Sequence, residues 1–352
     1  MARRHPMVDL RAVWDENADR GRERAAHWNV SFESDLETLL ARDDIQAVSL
    51  CAPPRLQPAL VEAAAAAGKD IAAEKVIAAD MDGAARIVQA VRRHGVRFFP
   101  AFNIAFNPIP LHIKSMVESG RLGSLSRVRR SHGHYGYAEA GDFSYPSIAE
   151  RAGWGDPHDE GRGALFFVSC HQALWFQWMF GPPRSVVCMS NTLSHDLPVE
   201  DNVIVLLRYP ATDRTGVERG FTGVIESSAT QSAVPVAAQL SGAKGELVQY
   251  RGCLPSTRVW GPQAQPLAFF DRAQQAWCYP ELPPYFTRSE FEFTPHGLFL
   301  EAVVKDRVLP VDEMDGYHSV AMLAAAERAE REGREVDLPT WPPQPDVAEE
   351  RP

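Results

Sequence analysis

Long apolar runs are missing from this chain, and none approaches the roughly 20 residues that a helix needs to cross a bilayer. The N-terminus also lacks the charged and then apolar order of a secretory signal. The sequence therefore predicts neither a membrane-spanning segment nor export, and we expect a cytoplasmic protein.

Basic charge and paired cysteines are scarce as well. The chain carries 36 Lys and Arg residues against 46 Asp and Glu, and its formal net charge of −10 argues against nucleic acid as the main partner. The five cysteines are scattered without a C-x-x-C pair, a usage that fits reduced thiols. No H-E-x-x-H motif is present, so no metal site is predicted.

The N-terminal part of the chain alternates short apolar runs with runs of strong helix formers. This pattern predicts strand, helix, strand, helix and strand over Ala47–Cys51, Ala59–Ala67, Ile71–Ala73, Met81–His94 and Val96–Asn103. Such an alternation favours right-handed crossovers and a parallel sheet, in which the chemistry gathers at the carboxyl ends of the strands. Those ends are Ala52-Pro53-Pro54, Glu74-Lys75 and Asn103, where we expect the site.

An acidic residue closes an earlier predicted strand. Val8–Asp15 alternates apolar and polar residues and ends on Asp15. A carboxylate just past the second strand of a dinucleotide-binding sheet can accept both hydroxyls of an adenine ribose, which favours NAD over NADP. The other interpretation of Asp15 is an N-cap for a helix over Asn17–Trp28.

The glycine-rich turn that should cradle a pyrophosphate is missing. No G-x-G-x-x-G follows a strand, and Gly161-Arg-Gly163 is interpreted as an ordinary turn. Because the first strand is central in the 3-2-1-4-5-6 order, its loss would leave backbone groups unpaired in a core. We therefore expect that the chain as given starts after its first βα unit, and a genuine loss of cofactor binding is the alternative.

After Asn103 the pattern changes from α/β to α+β. An amphipathic helix is predicted over Pro108–Gly120, another helix over Ala164–Phe180 and a last helix over Gly316–Glu332. Strands separated by turn signals predict a large, mainly antiparallel open sheet, over Ser126–Ser131, Ser185–Ser190, Asn202–Tyr209, Phe221–Ser227, Val236–Ser241 and Glu246–Tyr250. We predict a Rossmann-type domain over 1–115, an α+β domain over 116–338 and a flexible tail over 339–352.

An ordered set of motifs then points to a family. The set is Asp15, Ala52-Pro53-Pro54, Glu74-Lys75, Phe102-Asn103, Ser119–Gly123, Trp154 with Asp156-Pro157, and Gly161–Leu165 with His171. The chain resembles the Gfo/Idh/MocA family of NAD(P)-dependent oxidoreductases. The resemblance implies a Rossmann domain, a second domain on a large open sheet, homodimers or homotetramers formed through that sheet, and a sugar, polyol or related hydroxylated substrate.

The resemblance also implies roles for individual residues. Glu74-Lys75 matches the family's E-K-P, whose lysine lies beside the nicotinamide, and His171 matches the histidine of its D-x-x-x-H signature. Lys75 and His171 are thus the expected catalytic residues, and they should face each other across an interdomain crevice. The expected cofactor-binding residues are Asp15, Ala52, Pro53, Pro54, Glu74, Lys75 and Asn103.

Departures from the family pattern bear on activity. Val76 stands in place of the proline after the lysine, Gln57 in place of a frequent histidine, and Phe167 in place of the aspartate four residues before His171. Without an acidic companion the histidine loses an orienting acceptor, at an expected cost of about tenfold or more. We consider Asp156, His158 and Asp159 as substitutes for that acid.

The sequence thus leads to an oxidoreductase that transfers a hydride between NAD, with NADP as an alternative, and a hydroxylated substrate. A non-catalytic relative that kept the fold as a scaffold or partner subunit is a second hypothesis. A third is an NAD-dependent glycosidase or lyase of the same fold.

Overall fold

The computed structural model describes residues 8–102, 108–133, 163–193, 199–210, 220–231, 236–250, 267–280 and 295–339. The chain divides into two compact units. The first unit comprises Met1–Arg121, Leu254–Ser256 and Tyr279–Gly316, and the second comprises Leu122–Cys253, Thr257–Cys278 and Tyr317–Pro352. Within the described ranges, every helix is too short or too polar to cross a membrane.

The described residues form nine helices and fourteen strands. The helices are α1 (Ala18–Trp28), α2 (Leu36–Leu40), α3 (Gln57–Ala66), α4 (Met81–His94), α5 (Pro108–Glu118), α6 (Ala164–Phe167), α7 (Ser169–Phe180), α8 (Pro295–Lys305) and α9 (Glu313–Glu332). The strands of the first unit are β1 (Ala12–Val13), β2 (Ser31–Phe32), β3 (Ala47–Leu50), β4 (Asp70–Ala73) and β5 (Phe98–Pro100). Those of the second unit are β6 (Leu125–Gly133), β7 (Ser185–Asn191), β8 (Asn202–Tyr209), β9 (Phe221–Ser228), β10 (Val236–Gly242), β11 (Gly245–Tyr250), β12 (Leu267–Asp271), β13 (Ala276–Cys278) and β14 (Val336–Asp337).

Parallel strands of the first unit form two sheets. One contains β3, β4 and β5 in that order, and the other pairs β1 with β2. In the classic order a central strand lies between these two groups. Among the described residues, β1 pairs only with β2 and β3 pairs only with β4, so the edges that would face this central strand have no partner strand. The predicted parallel, Rossmann-type arrangement is confirmed.

Helix ends in the first unit are set by local caps. The Asp80 side chain accepts from the Gly83 N–H at 2.8 Å at the start of α4, and Gly95 ends the helix with a φ of 66°. An N-cap carboxylate and a left-handed glycine are strong start and stop signals. The side chain that caps α1 is Asn17, so the interpretation of Asp15 as the N-cap is wrong.

The second unit is built on a nine-stranded sheet with the order β13-β12-β11-β10-β6-β9-β8-β7-β14. All neighbours run antiparallel except β6 and β9, which are parallel, so the predicted mainly antiparallel sheet is confirmed. The basic run Arg127–Arg130 belongs to β6, which lies in the interior of the sheet between β10 and β9.

Packing of helix α7 on this sheet forms the core of the second unit. Trp175 and Phe176 are fully buried, and the guanidinium of Arg130 lies 5.0 Å from the centre of the Trp175 ring. The rings of Tyr209 and Phe221 stack with their centres 4.5 Å apart. An Arg over an indole face makes a favourable cation–π contact, which here stabilises the charge of a buried guanidinium.

The single helix predicted over Ala164–Phe180 is two helices, separated at Val168. The first half is held by Glu200, whose main-chain oxygen and side chain accept from the N–H groups of Ala164 and Leu165. The second half is held on the sheet, because Ser169 and Gln172 both donate to Ser227. Different partners at the two ends account for the bend.

Helix α8 was not predicted, nor were strands β12, β13 and β14. Although α8 comes late in the sequence, it belongs to the first unit, where the Phe299 ring stacks on Phe99 with centres 6.3 Å apart. The first unit is therefore assembled from segments that are distant in sequence.

Candidate functional site

Most of the predicted site lies at the carboxyl edge of the sheet formed by β3, β4 and β5. The loop Ala52-Pro53-Pro54 follows β3 and Glu74-Lys75 follows β4, and all five residues are half-buried. The Glu74 N–H donates to the Leu50 carbonyl at 2.9 Å, which keeps the two loops side by side.

The backbone beside the predicted catalytic lysine is unusual. Val76, at the position where the family pattern has proline, is buried and follows Lys75 through a cis peptide bond. The segment continues into Ile77 and Ala78, which are both fully buried. Lys75 thus projects from a segment that is anchored in the core. Asn103, the third predicted strand end, lies outside the described residues.

A serine–histidine pair occupies the same edge of the sheet. The Ser49 hydroxyl of β3 lies 2.9 Å from Nε2 of His296, in the first turn of α8. Burial lowers the pKa of His296, while the nearby carboxylate of Glu74 acts in the opposite direction. At neutral pH the imidazole is therefore held in its neutral form.

His296 was not among the predicted site residues. The only local signal is Pro295, since proline is favoured in the first turn of a helix and marks a helix start. Nothing in the spacing of the sequence connects that start with Ser49. The pair adds an imidazole and a hydroxyl to the predicted groups at this sheet edge.

Asp15 follows β1, as expected, and is hydrogen-bonded to residues at the start of α1. Its two carboxylate oxygens accept from Arg20 at 2.7 Å each, and one of them also accepts from the Asn17 N–H at 2.8 Å. The hydrogen bonds from Arg20 hold the pKa of Asp15 below its usual range. Asp15 therefore presents a stable negative charge beside a guanidinium.

His171 belongs to the second unit and is half-buried in the first turn of α7. Its ring lies near that of His132 on β6, with centres 6.1 Å apart. Phe167, which replaces the family aspartate, ends α6 and is also half-buried, so the two motif positions lie on separate helices. The substitutes considered for the missing acid, Asp156, His158 and Asp159, lie outside the described residues.

An open pocket of about 610 Å³ also lies in the second unit, away from every predicted site residue. Arg208 pairs there with Glu335 and Arg184 with Asp337, both near the edge of the sheet that β14 forms. These carboxylates offset the positive charge that the arginines would offer to an anion. Elsewhere in the described part of the chain, no three His, Cys, Asp or Glu side chains meet as metal ligands would.

Comparison with known proteins gives two family matches that together span most of the chain. A model described as an oxidoreductase family with an NAD-binding Rossmann fold matches residues 1–102, and a model of the GFO/IDH/MocA C-terminal domain matches residues 111–248.

Curated relatives match over shorter stretches. The chain is 33% identical over 122 residues to the uncharacterized oxidoreductase YrbE of Bacillus subtilis, which covers 34% of this chain and 36% of that protein. It is 32% identical over 118 residues to inositol 2-dehydrogenase of Acidothermus cellulolyticus, which covers 33% of this chain and 35% of that protein. The chain thus spans about a third of the length of these curated relatives.

Solved structures match over almost the whole chain. The WlbA dehydrogenase from Bordetella pertussis, in complex with NADH and UDP-GlcNAcA, superimposes with a TM-score of 0.73 at 22% identity. The superposition covers 95% of this chain and 91% of that one. At this level of identity the likeness shows a common fold.

Proposed function

Because the chain belongs to the Gfo/Idh/MocA family of oxidoreductases, we propose that it transfers a hydride between NAD(P) and a sugar, polyol or related hydroxylated substrate. The observation that carries this proposal is the position of Lys75 beside Glu74 at the carboxyl edge of the parallel sheet, where such folds hold their ligands. The names of two relatives, an inositol dehydrogenase and a dehydrogenase bound to a nucleotide sugar, support a hydroxylated substrate.

The residues fit two parts of a dinucleotide. Asp15 already accepts three hydrogen bonds, but a carboxylate offers about four lone-pair sites, so acceptor capacity remains for a ribose hydroxyl. Glu74, Lys75 and the Ala52–Pro54 loop would border the nicotinamide end. When bound, the nicotinamide would accept or supply the hydride.

We assign the proton chemistry to the protein. Lys75 would hold the substrate hydroxyl and take its proton during oxidation, or return it during reduction. We propose His171 as the second catalytic residue, since an imidazole is the side chain most often used as a general acid or base. Phe167 offers no carboxylate to orient that imidazole, which predicts a slower enzyme than relatives that have one.

The second candidate is a non-catalytic relative. The sequence has no G-x-G-x-x-G turn after a strand, and Phe167 replaces the family acid. Both features favour a protein that keeps the fold without turning over a cofactor. An NAD-dependent glycosidase or lyase is a third candidate, and it would form product without net change in the nicotinamide.

We further propose that copies of the chain associate through the open sheet of the second unit. Val187 and Met189 of β7 face Leu206 and Ile204 of β8, and all four side chains are exposed, Met189 by 68%. An adjoining set of exposed apolar side chains is a feature of protein interfaces. Light scattering of the wild type and of Ile204→Glu should give a dimer or tetramer and a smaller species, respectively.

The decisive experiment begins with fluorescence titration of NADH and NADPH into the purified chain. A screen of inositols, sugars and nucleotide sugars follows, with NAD(P) absorbance and product formation measured in parallel. Lys75→Ala should abolish turnover, whereas Lys114→Ala, which removes a half-buried lysine paired with Glu118 at 3.3 Å, should not.

The outcomes separate the candidates. Product with equal reduction of NAD(P) supports the oxidoreductase, and product without it supports the glycosidase or lyase. Absence of cofactor binding supports the non-catalytic relative. If Lys75→Ala turns over substrate like the wild type, the assignment of Lys75 is wrong.

A further inference from the structure

Gln57 joins the two loops that carry the candidate site. It is the first residue of α3 and is completely buried. Its side-chain Nε2 lies within hydrogen-bond distance of three main-chain carbonyl oxygens, those of Ala52 at 3.1 Å, Glu74 at 2.8 Å and Val76 at 3.1 Å. A single amide group therefore contacts main-chain carbonyls of both the loop after β3 and the loop after β4.

The position of Gln57 is itself fixed by hydrogen bonds to the loop after β3. Its main-chain N–H and that of Leu56 both donate to the Pro53 carbonyl, at 3.2 and 2.9 Å. Pro58 follows in the first turn of α3, where its fixed φ suits a helix start. The side chain thus extends from a rigid helix end toward the second loop.

Two of the three carbonyls belong to Glu74 and Val76, the residues on either side of Lys75. A buried carbonyl needs a partner, so these two oxygens are held toward the Gln57 amide. The orientation of the main chain before and after Lys75 then follows, and with it the direction in which the lysine side chain leaves the loop.

From these contacts we infer that Gln57 is a positioning residue for Lys75, which aims the lysine by fixing the backbone around it against the Ala52–Pro54 loop. Its effect on turnover rests on the proposed function, whereas its effect on the lysine does not. The hydrogen-bond donor is the active part of the side chain, because Gln57 Oε1 has no partner among the described residues.

Matched variants separate the donor from the shape of the side chain. Gln57→Met keeps an unbranched chain of similar length and removes both N–H groups. Gln57→Glu keeps the outline and sets carboxylate oxygens against the three carbonyls. Gln57→His keeps a ring N–H and serves as the conservative rescue.

The measurement is competitive acetylation of lysines in the whole chain, resolved by peptide mass spectrometry from pH 7 to 10. Lys114 and Lys305 are internal references in the first unit, since each forms an ion pair on its own helix, at 3.3 and 2.8 Å. This readout needs neither cofactor nor substrate, so it stands even if the proposed function fails.

In Gln57→Met and Gln57→Glu we expect the Lys75 rate, relative to the references, to change by about threefold or more, because amine reactivity follows local surroundings. Gln57→His should restore much of the wild-type ratio and pH profile. With an identified substrate, kcat should fall by about tenfold or more with a smaller change in KM, as expected for a misplaced group.

An unchanged Lys75 ratio in folded Gln57→Met would overturn the inference, even if the variant were less stable. If Gln57→Met does not fold, the relative acetylation rate of Lys75 in Gln57→His tests the inference instead. A folded Gln57→His whose Lys75 ratio departs from wild type as far as that of Gln57→Glu would also overturn it.

Discussion

The Ser49 hydroxyl lies 2.9 Å from Nε2 of His296, although 247 residues separate the two in sequence. This contact ties the edge strand of the parallel sheet to a helix from the far end of the chain. Because burial lowers the pKa of His296, the histidine is held neutral in the folded protein and becomes charged more readily in the unfolded chain.

We predict that His296 makes the protein less stable in mild acid. A group whose pKa is depressed by folding contributes stability above its unfolded pKa, near 6.5 for histidine, and that contribution is lost as the pH falls. Denaturant midpoints measured between pH 8 and 5 should therefore fall less in His296→Gln than in the wild type. Ser49→Ala should cost about 1 kcal/mol at pH 8 through the lost hydrogen bond. Equal pH slopes in wild type and His296→Gln would contradict this prediction.

We predict that Asp15 and Arg20 together set the choice between NAD and NADP. Asp15→Ala removes the ribose acceptor and releases a guanidinium that can bind a 2′-phosphate. NADH affinity should fall by about tenfold, the equivalent of one charge-assisted hydrogen bond, while NADPH affinity should be maintained or rise. Fluorescence titration measures both.

The matched control for this pair is Asp19→Ala on the same helix. Asp19 pairs with Arg22 at 2.9 Å, and its side chain is 96% exposed. It should leave both affinities unchanged. An equal loss for NADH and NADPH in Asp15→Ala would mean that Asp15 supports the helix rather than the ribose.

We predict that Gly163→Ala strongly destabilises the second unit. The glycine has a φ of −54°, which any residue can adopt, but an added Cβ would lie 2.1 Å from the Glu200 carbonyl oxygen. That oxygen is main chain and also accepts from Ala164, so it cannot move cheaply. Overpacking of this kind costs about 1–3 kcal/mol, measurable as a shift in the urea midpoint.

Gly333→Ala provides the comparison in the same unit. Gly333 has a φ of 63° and no atom near an added Cβ, so only backbone strain is tested there, at roughly 1–2 kcal/mol. A Gly163→Ala variant as stable as the wild type would show that Glu200 does not clamp α6. A loss of His171-dependent activity in the same variant would show that the clamp matters for the helix that follows.

Local signals in the sequence were enough to predict elements whose ends are set locally. Helix α4 runs over the predicted residues because Asp80 and Gly95 fix its two ends. The strands β3 and β4 were recognised because short apolar runs stop at Pro53 and at Glu74. Their carboxyl ends gave the location of the candidate site.

Features set by contacts between distant residues were not predictable. The pairing of β6 with β9 depends on residues such as Arg129 and Glu226, which are 97 positions apart. The bend at Val168 depends on Glu200, and the role of His296 depends on Ser49. The periodicity of apolar residues cannot identify such partners, because it indicates only which side of a helix or strand is buried.

The late position of α8 has a consequence for how the molecule is made. The first unit needs Phe299 to cover Phe99, and the edge of the nine-stranded sheet needs Val336 to pair with Val186. Domains usually fold in turn as they leave the ribosome, N-terminal first. Here neither unit can be finished until the segments that carry Phe299 and Val336 have left the ribosome, so each unit should reach its native form only after its late segment has been synthesised.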